Sequence, residues 1–249
     1  MMTKVKTEEE ITNQKVSGRM LATVLDILSK TTQPGVTTKE LDTVAHNELK
    51  KLGGKPAFLG YGGFPATLCV SVNDEVVHGI PKNNVIKDGD IVSFDFGVVY
   101  GGMITDAART VVAGSSNIEK DKLLKGTLES LDAGINTLKD GIRVGEVSNA
   151  IEKVLNRYNF GIVRDLVGHG VGHNLHEDPN IPNYGSKNSG PILIAGMTVA
   201  IEPMSTLGGY EVFTAADGWT IKTKDESLSA HFEDTILITQ EGFEILTRL

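Results

Sequence analysis

Cysteine is nearly absent. Cys69 is the only one in 249 residues, which excludes an internal disulfide and fits a reducing compartment. Long apolar runs are missing as well. The longest, Pro191 to Ile201, is broken by Gly196 and Thr198 and stops at Glu202, short of the ~18 residues that a membrane span needs. There is no basic excess: 24 Lys and Arg face 32 Asp and Glu, a formal charge of −8, which argues against bulk binding to nucleic acid or anionic membrane. The opening Met1-Met2-Thr3-Lys4 runs straight into Glu8-Glu9-Glu10 without a secretory pattern. No Pro/Ser-rich linker divides the chain. With 40% hydrophobic and 22% charged residues, the composition is that of a globular protein long enough to bury a full core. A single domain over residues 1–249, located in the cytoplasm, is expected.

Periodicity then gives an alternating pattern. Thr7 and Glu10 form a capping box ahead of a helix carrying Ile11, Val16, Leu21, Val24, Leu25 and Leu28. Thr37 and Glu40 open a second helix that Gly53-Gly54 ends. Residues 67–72 and 91–111 read as strands, 118–139 and 144–158 as helices, and short strands follow near 162–167, 198–202, 219–222 and 234–246. A weak repeat overlies this pattern. Residues 35–41 align with 141–147 at an offset of 106, and Asp95 falls opposite Glu202 at 107. Each half would be two helices followed by strands with a buried acid late in the half. A site on the pseudo-twofold axis would draw ligands from both halves.

The chemistry begins at Asp95, in the apolar run Ile91 to Gly97, where an unpaired charge would be costly to bury. Asp106 lies eleven residues on, and Gly101-Gly102 between them marks a hairpin tip. With that tip, Gly97 pairs with Asp106, and Asp95 and Asp106 become diagonal neighbours on one face, roughly 7–8 Å apart at the backbone. Two such carboxylates either share a proton or hold cations. His169, His173 and His176 follow in a segment whose glycines at 168, 170 and 172 oppose a helix. An extended chain puts His169 and His173 on one face and His176 on the other unless a bulge intervenes, so spacing alone does not select the ligand. Glu202 precedes Pro203 and is extended; Glu233 precedes the strand Thr235 to Thr239. Four carboxylates and one imidazole are too hard a set for structural zinc and suit a pair of carboxylate-bridged divalent first-row ions.

The series Val77-His78-Gly79-Ile80-Pro81, Ser93 to Gly97, Thr105-Asp106, Gly168 to Gly172, His176-Glu177, Ala200 to Pro203 and Phe232 to Thr235 resembles, in order, the motifs of the methionine aminopeptidases. Glu233 follows Glu202 by only 31 positions, which leaves no room for the helical insert of the type II enzymes, so the resemblance is to the bacterial type I. It implies an α+β pita-bread fold, two pseudo-twofold halves with helices packed on an antiparallel curved sheet. It also implies two divalent ions per chain, of cobalt, manganese, iron or zinc. By the same resemblance Asp95 chelates one ion, Asp106 and Glu233 bridge both, and His169 and Glu202 complete the other. Glu202 also moves a proton, His78 contacts the scissile amide, and His176 hydrogen-bonds the carbonyl oxygen. Tyr61, Phe64, Cys69 and Trp219, with Phe58 and Leu175 in place beside them, match the pocket for the methionine side chain.

Implied substrates are peptides and nascent chains that begin with methionine and have a small second residue. A ribosome contact follows only from the family's co-translational role, and a monomer is expected. Proline-directed peptidases of the same fold and a non-catalytic peptide-binding relative are the alternatives, the latter opposed by the presence of all five ligands. Asp234 departs from the family, standing where many relatives carry histidine. In a strand it points away from Glu233 and is expected to tune the site from behind. No ligand role falls to His173; His231 is expected beside the ligands, and His46 on a solvent-facing helix surface.

Overall fold

The computed structural model describes residues 2–249. Both expected capping boxes form. The Thr7 hydroxyl accepts from Glu10 N and the Glu10 carboxylate from Thr7 N (2.8 Å), starting α1 (Glu8–Thr31). Thr37 and Glu40 repeat the arrangement at the start of α2 (Thr38–Leu52). Asn117 caps α3 (Ile118–Ile135) through a 3.0 Å bond from Lys120 N. That helix ends four residues before the expected 139. Thr137 N and Leu138 N bond three residues back, to Gly134 and Ile135, which tightens the chain and turns Leu138 into the core. The fourth helix, α4 (Val144–Tyr158), starts at Arg143 without a side-chain cap.

The repeat holds at the level of elements. The first and last residues of α2 and α4 are each 106 positions apart, both helices have 15 residues, and both follow a glycine of positive φ, Gly35 and Gly141. Two cores match this division. In the first, Leu21, Leu25, Leu41 and Leu49 of α1 and α2 pack on Phe94, Phe96 and Val98. In the second, Leu123, Leu131, Val147 and Ile151 of α3 and α4 pack on Val199, Ile201, Ile236 and Ile238.

The first sheet is built on the hairpin Ile91–Tyr100 and Met103–Val112. Cys69–Val72 and Lys55–Pro56 lie along the free edge of its first strand. The second sheet has the antiparallel order Phe243–Ile245, Asp234–Ile238, Thr198–Ile201, Gly168–Gly170, Glu177–Ile181. A bridge between Ala108 and Glu233 joins the two sheets edge to edge. His46 lies exposed on α2 as expected, with Nδ1 3.1 Å from the Thr67 hydroxyl.

Candidate active site

The hairpin has the register its Gly-Gly tip requires: Tyr100 opposite Met103 and Gly97 opposite Asp106. Asp95 lies opposite Ala108 in the same ladder, so the two acids share a face. Both are buried, and each carboxyl group bears on the ionisation of the other. Burial raises Asp95 well above the usual carboxylate range, and the neighbouring Asp106 adds to it; burial pushes Asp106 up to about 7.

The second sheet brings the other donors to the same face. His169 stands in the short strand Gly168–Gly170, paired through Ala200 with the strand that ends at Glu202. A side chain on Gly168 would collide with the Ala200 carbonyl at 2.5 Å, which explains glycine beside this histidine. His169 Nδ1 lies 3.0 Å from the Gly170 carbonyl, which makes Nδ1 the protonated nitrogen and leaves Nε2 facing Glu202 Oε1 at 3.5 Å. Glu202 is fixed from behind, its carbonyl accepting from Asn183 Nδ2 at 3.0 Å. Glu233 N donates to the Ala108 carbonyl across the sheet junction. Burial raises Glu202 and Glu233 well above their usual range, with the neighbouring carboxylates adding to it.

Asp106, His169 and Glu233 each offer a ligand atom, all within 4.8 Å of one another. One oxygen each of Asp95, Asp106 and Glu233 has no hydrogen-bond partner among the described residues, and neither has either nitrogen of His231. That His231 ring is fully buried, with Nε2 3.7 Å from Glu202 Oε2 and 4.0 Å from Glu233 Oε2. Buried orphaned acceptors converging on one point, with an imidazole beside them, fit a divalent cation.

A cavity of about 100 Å³ opens on this cluster. Asp95, Asp106, His169, Glu202, Glu233, His78 and His176 line its polar side; Tyr61, Phe64, Cys69 and Trp219 line the other, with Phe58 and Leu175. It therefore collects every site residue expected from the sequence. The apolar wall is a packed cluster in which the Phe64 and Trp219 rings meet edge-on at 5.2 Å. His78 has φ +58°, a backbone state costly for a side chain of this size and typical of functional sites. Burial depresses His78 to about 4 and lowers His176, so both imidazoles are neutral near pH 7. His176 Nδ1 is 2.9 Å from the Tyr61 hydroxyl, and its ring stands nearly perpendicular to that of His169 at 4.5 Å.

Residues 171–176 leave the strand after Gly170 in a series of bends. His176 thereby turns into the cavity, while His173 turns away to bond Glu10 at 2.7 Å. Asn183 and the partners of Asp234 escaped the sequence reading. A buried acid on the back of a strand requires a cation, but nothing in its spacing says which arginine supplies it.

Residues 13–240 match the model of metallopeptidase family M24. The chain belongs to that family, among the methionine aminopeptidases. It is 48% identical over 244 residues to methionine aminopeptidase 1 of Bacillus subtilis, covering 98% of each chain. It is 45% identical to the methionine aminopeptidase of Clostridium acetobutylicum at the same coverage. The crystal structure of methionine aminopeptidase from Thermotoga maritima superposes with a TM-score of 0.98 at 47% identity over the whole of both chains. The Pyrococcus furiosus prolidase, 24% identical with a TM-score of 0.79, shares the fold alone; the chain covers 65% of it. The expected pita-bread fold holds, and membership in M24 carries use of a divalent metal with it. Among the described residues no helix is long and apolar enough to cross a membrane.

Proposed function

We propose that the chain, as one catalytic domain, hydrolyses the N-terminal methionine from peptides and nascent proteins in the cytoplasm, preferring a small second residue. One observation carries this reading: the cavity that joins the Asp106–His169–Glu233 cluster to an apolar wall of aromatics and a buried thiol. Asp95, Asp106, His169, Glu202 and Glu233 would hold two divalent ions, with Asp106 and Glu233 shared between them. When bound, the ions supply Lewis acidity and a water acidified toward neutrality.

This chain's own groups do the rest. Glu202, at the edge of the cluster and 13% exposed at its side chain, takes up and passes on the proton released during attack. In this reading the Tyr61 hydroxyl donates to His176 Nδ1, which leaves the proton on Nε2. That N–H meets the substrate carbonyl oxygen as charge develops there. His78 contacts the scissile amide and assists the leaving nitrogen. The thioether lies against Phe64, Trp219 and Cys69, where soft, polarizable contacts suit it. We further assign a monomeric working state, with any ribosome contact resting on the family's co-translational role.

The test is product release from Met-Ala-Ser and from Xaa-Pro peptides, with metal-stripped protein, with added Mn²⁺ or Co²⁺, and with Asp106→Ala. Free methionine released from Met-Ala-Ser only with metal, and not by the variant, is the expected result. Cleavage confined to the proline peptides would move the assignment to the proline-directed relatives, and no turnover of either would overturn the enzymatic reading for these substrates.

A further inference from the structure

Asp234 sits directly after Glu233 and, as the alternation of a strand requires, faces the opposite side of the sheet. It is wholly buried, yet it is not isolated. Its Oδ1 accepts from Arg109 Nη2 and from the Thr247 hydroxyl, each at 2.7 Å, and its Oδ2 accepts from Arg248 Nε at 2.7 Å. Arg248 continues to Asp132 on α3 at 2.7 Å, so the two acids and two bases close a neutral set.

The direction of the Arg109 guanidinium ties this set to the site. Besides Asp234, it donates through Nη1 to the carbonyls of Glu233 (2.6 Å) and Ala108 (2.9 Å), the two residues that bridge the sheets. Its planar fork thus braces the junction from behind. A second chain of bonds reaches Asp106. Thr247 Oγ1 accepts from Thr235 N at 3.1 Å, Thr235 Oγ1 donates to the Asp106 carbonyl at 2.7 Å, and that hydroxyl accepts from Asp106 N at 2.9 Å. Leu246 N closes the C-terminal end of the network on the Thr235 carbonyl. The main-chain groups of Asp106 and Glu233 are therefore both held by one buried network whose outer members, Thr247 and Arg248, lie two and one residues before the last residue, Leu249.

We propose that Arg109, Asp234 and Arg248 form a positioning clamp that sets the separation of the Asp106 and Glu233 carboxylates, and that the C-terminal residues are thereby part of the metal-binding apparatus. This rests on the reading of Asp106 and Glu233 as the shared metal ligands. None of the three clamp residues lines the cavity, so none touches substrate or ion; they act on the backbone that carries the ligands. A chain that keeps the five ligands but loses the clamp keeps its chemistry and loses its spacing.

The experiment is calorimetric titration of Mn²⁺ into the metal-stripped full-length chain, alongside thermal unfolding of the metal-free form and steady-state kinetics on Met-Ala-Ser. Three variants of the clamp are compared, with Glu233→Gln as a fourth at the ligand itself. Asp234→Asn removes the charge at the centre. Arg248→Gln trims a side chain that is 34% exposed and is the safer variant for folding. Arg248→Lys restores the charge. The clamp predicts that Asp234→Asn and Arg248→Gln weaken Mn²⁺ binding about ten- to hundredfold, lower kcat at limiting metal and leave KM near its original value, with Arg248→Lys recovering part of the affinity. Should Asp234→Asn fail to fold, the Arg248 pair decides the matter alone. A lowered melting temperature with Mn²⁺ affinity unchanged in Arg248→Gln would overturn the proposal, because a purely structural network behaves that way. Glu233→Gln separates the two levels of the argument. If it leaves Mn²⁺ binding intact, the ligand assignment itself is wrong and the clamp falls with it. If it abolishes tight binding while Arg248→Gln does not, only the clamp is wrong.

Discussion

Tyr61 does more at this site than form a wall of the cavity. Its hydroxyl is 2.9 Å from His176 Nδ1, and without that donor the imidazole is free to place its proton on either nitrogen. Tyr61→Phe keeps the ring and removes the donor. A lost hydrogen bond of about 0.5–1.5 kcal/mol corresponds to a roughly two- to twelvefold fall in kcat. KM should change little, since the residue is 46% exposed and the rest of the apolar wall stays in place. Steady-state kinetics on Met-Ala-Ser checks this, and an unchanged kcat would mean that His176 holds its tautomer unaided. The acids were readable at this scale and the histidines only in part, for a physical reason. A Gly-Gly tip fixes a hairpin register, and register fixes which face Asp95 and Asp106 share. The stretch Val171 to His176 obeys neither strand nor helix geometry, so no periodicity could separate His173 from His176. Only the resemblance to a family did so.

The hairpin also shows how an element can set the shape of the pocket. Gly97, opposite Asp106, has the Phe58 ring against it: a side chain there would meet Phe58 Cε1 at 2.6 Å and the Ala57 methyl at 2.9 Å. Phe58 lines the cavity, so a branched side chain at this position pushes into the methionine wall. Gly97→Val is expected to destabilise the fold by about 1–3 kcal/mol through overpacking and to raise KM for methionine peptides. Urea unfolding and kinetics on Met-Ala-Ser measure the two effects, and a stable variant with unaltered KM would show that Phe58 yields without consequence. Elements with strong local signals were legible in advance. The two capping boxes, the hairpin, and the 106-residue offset that returned as two 15-residue helices all belong here. The end of α3 was not, because Gly134 and Asn136, the residues at its tightened turn, are weaker stop signals than the Asp140-Gly141 pair farther on, and the turn that buries Leu138 depends on the packed core. The Asp234 network was equally invisible, since Arg109 and Arg248 meet it only through sheet pairing and the return of the C-terminus.

At the scale of the molecule, the site belongs to neither half. Asp95 and Asp106 come from the first sheet, and His169, Glu202 and Glu233 come from the second or its strand ends. A cation held among them therefore ties the halves together. Ligand linkage predicts a stabilisation of about 2.7 kcal/mol when metal is present at a hundredfold excess over Kd. The pH dependence of that gain can be worked out. In the metal-free fold Asp106 is raised to about 7 from its ordinary 3.8, so between those values the folded chain keeps a proton that the unfolded chain has released, and stability falls as pH rises. Asp95, Glu202 and Glu233 are shifted in the same direction. The histidines act oppositely. His169 is depressed by burial to about 4, so from there to its ordinary 6.5 the unfolded chain binds the extra proton and stability rises with pH. His78 shares that shift to about 4, and His231 is pushed down further, to about 3. The two trends oppose each other below 6.5, and above it the carboxylates alone set a downward slope. Metal binding needs those same carboxylates ionised, so its affinity climbs as their protons leave. The gap in melting temperature between Mn²⁺-loaded and metal-stripped protein should therefore widen steadily from about pH 6 to about pH 8. A gap that stays constant over that range would mean that the four acids are already ionised in the metal-free fold, and that its buried cluster is neutralised by some group other than the protons assigned to it.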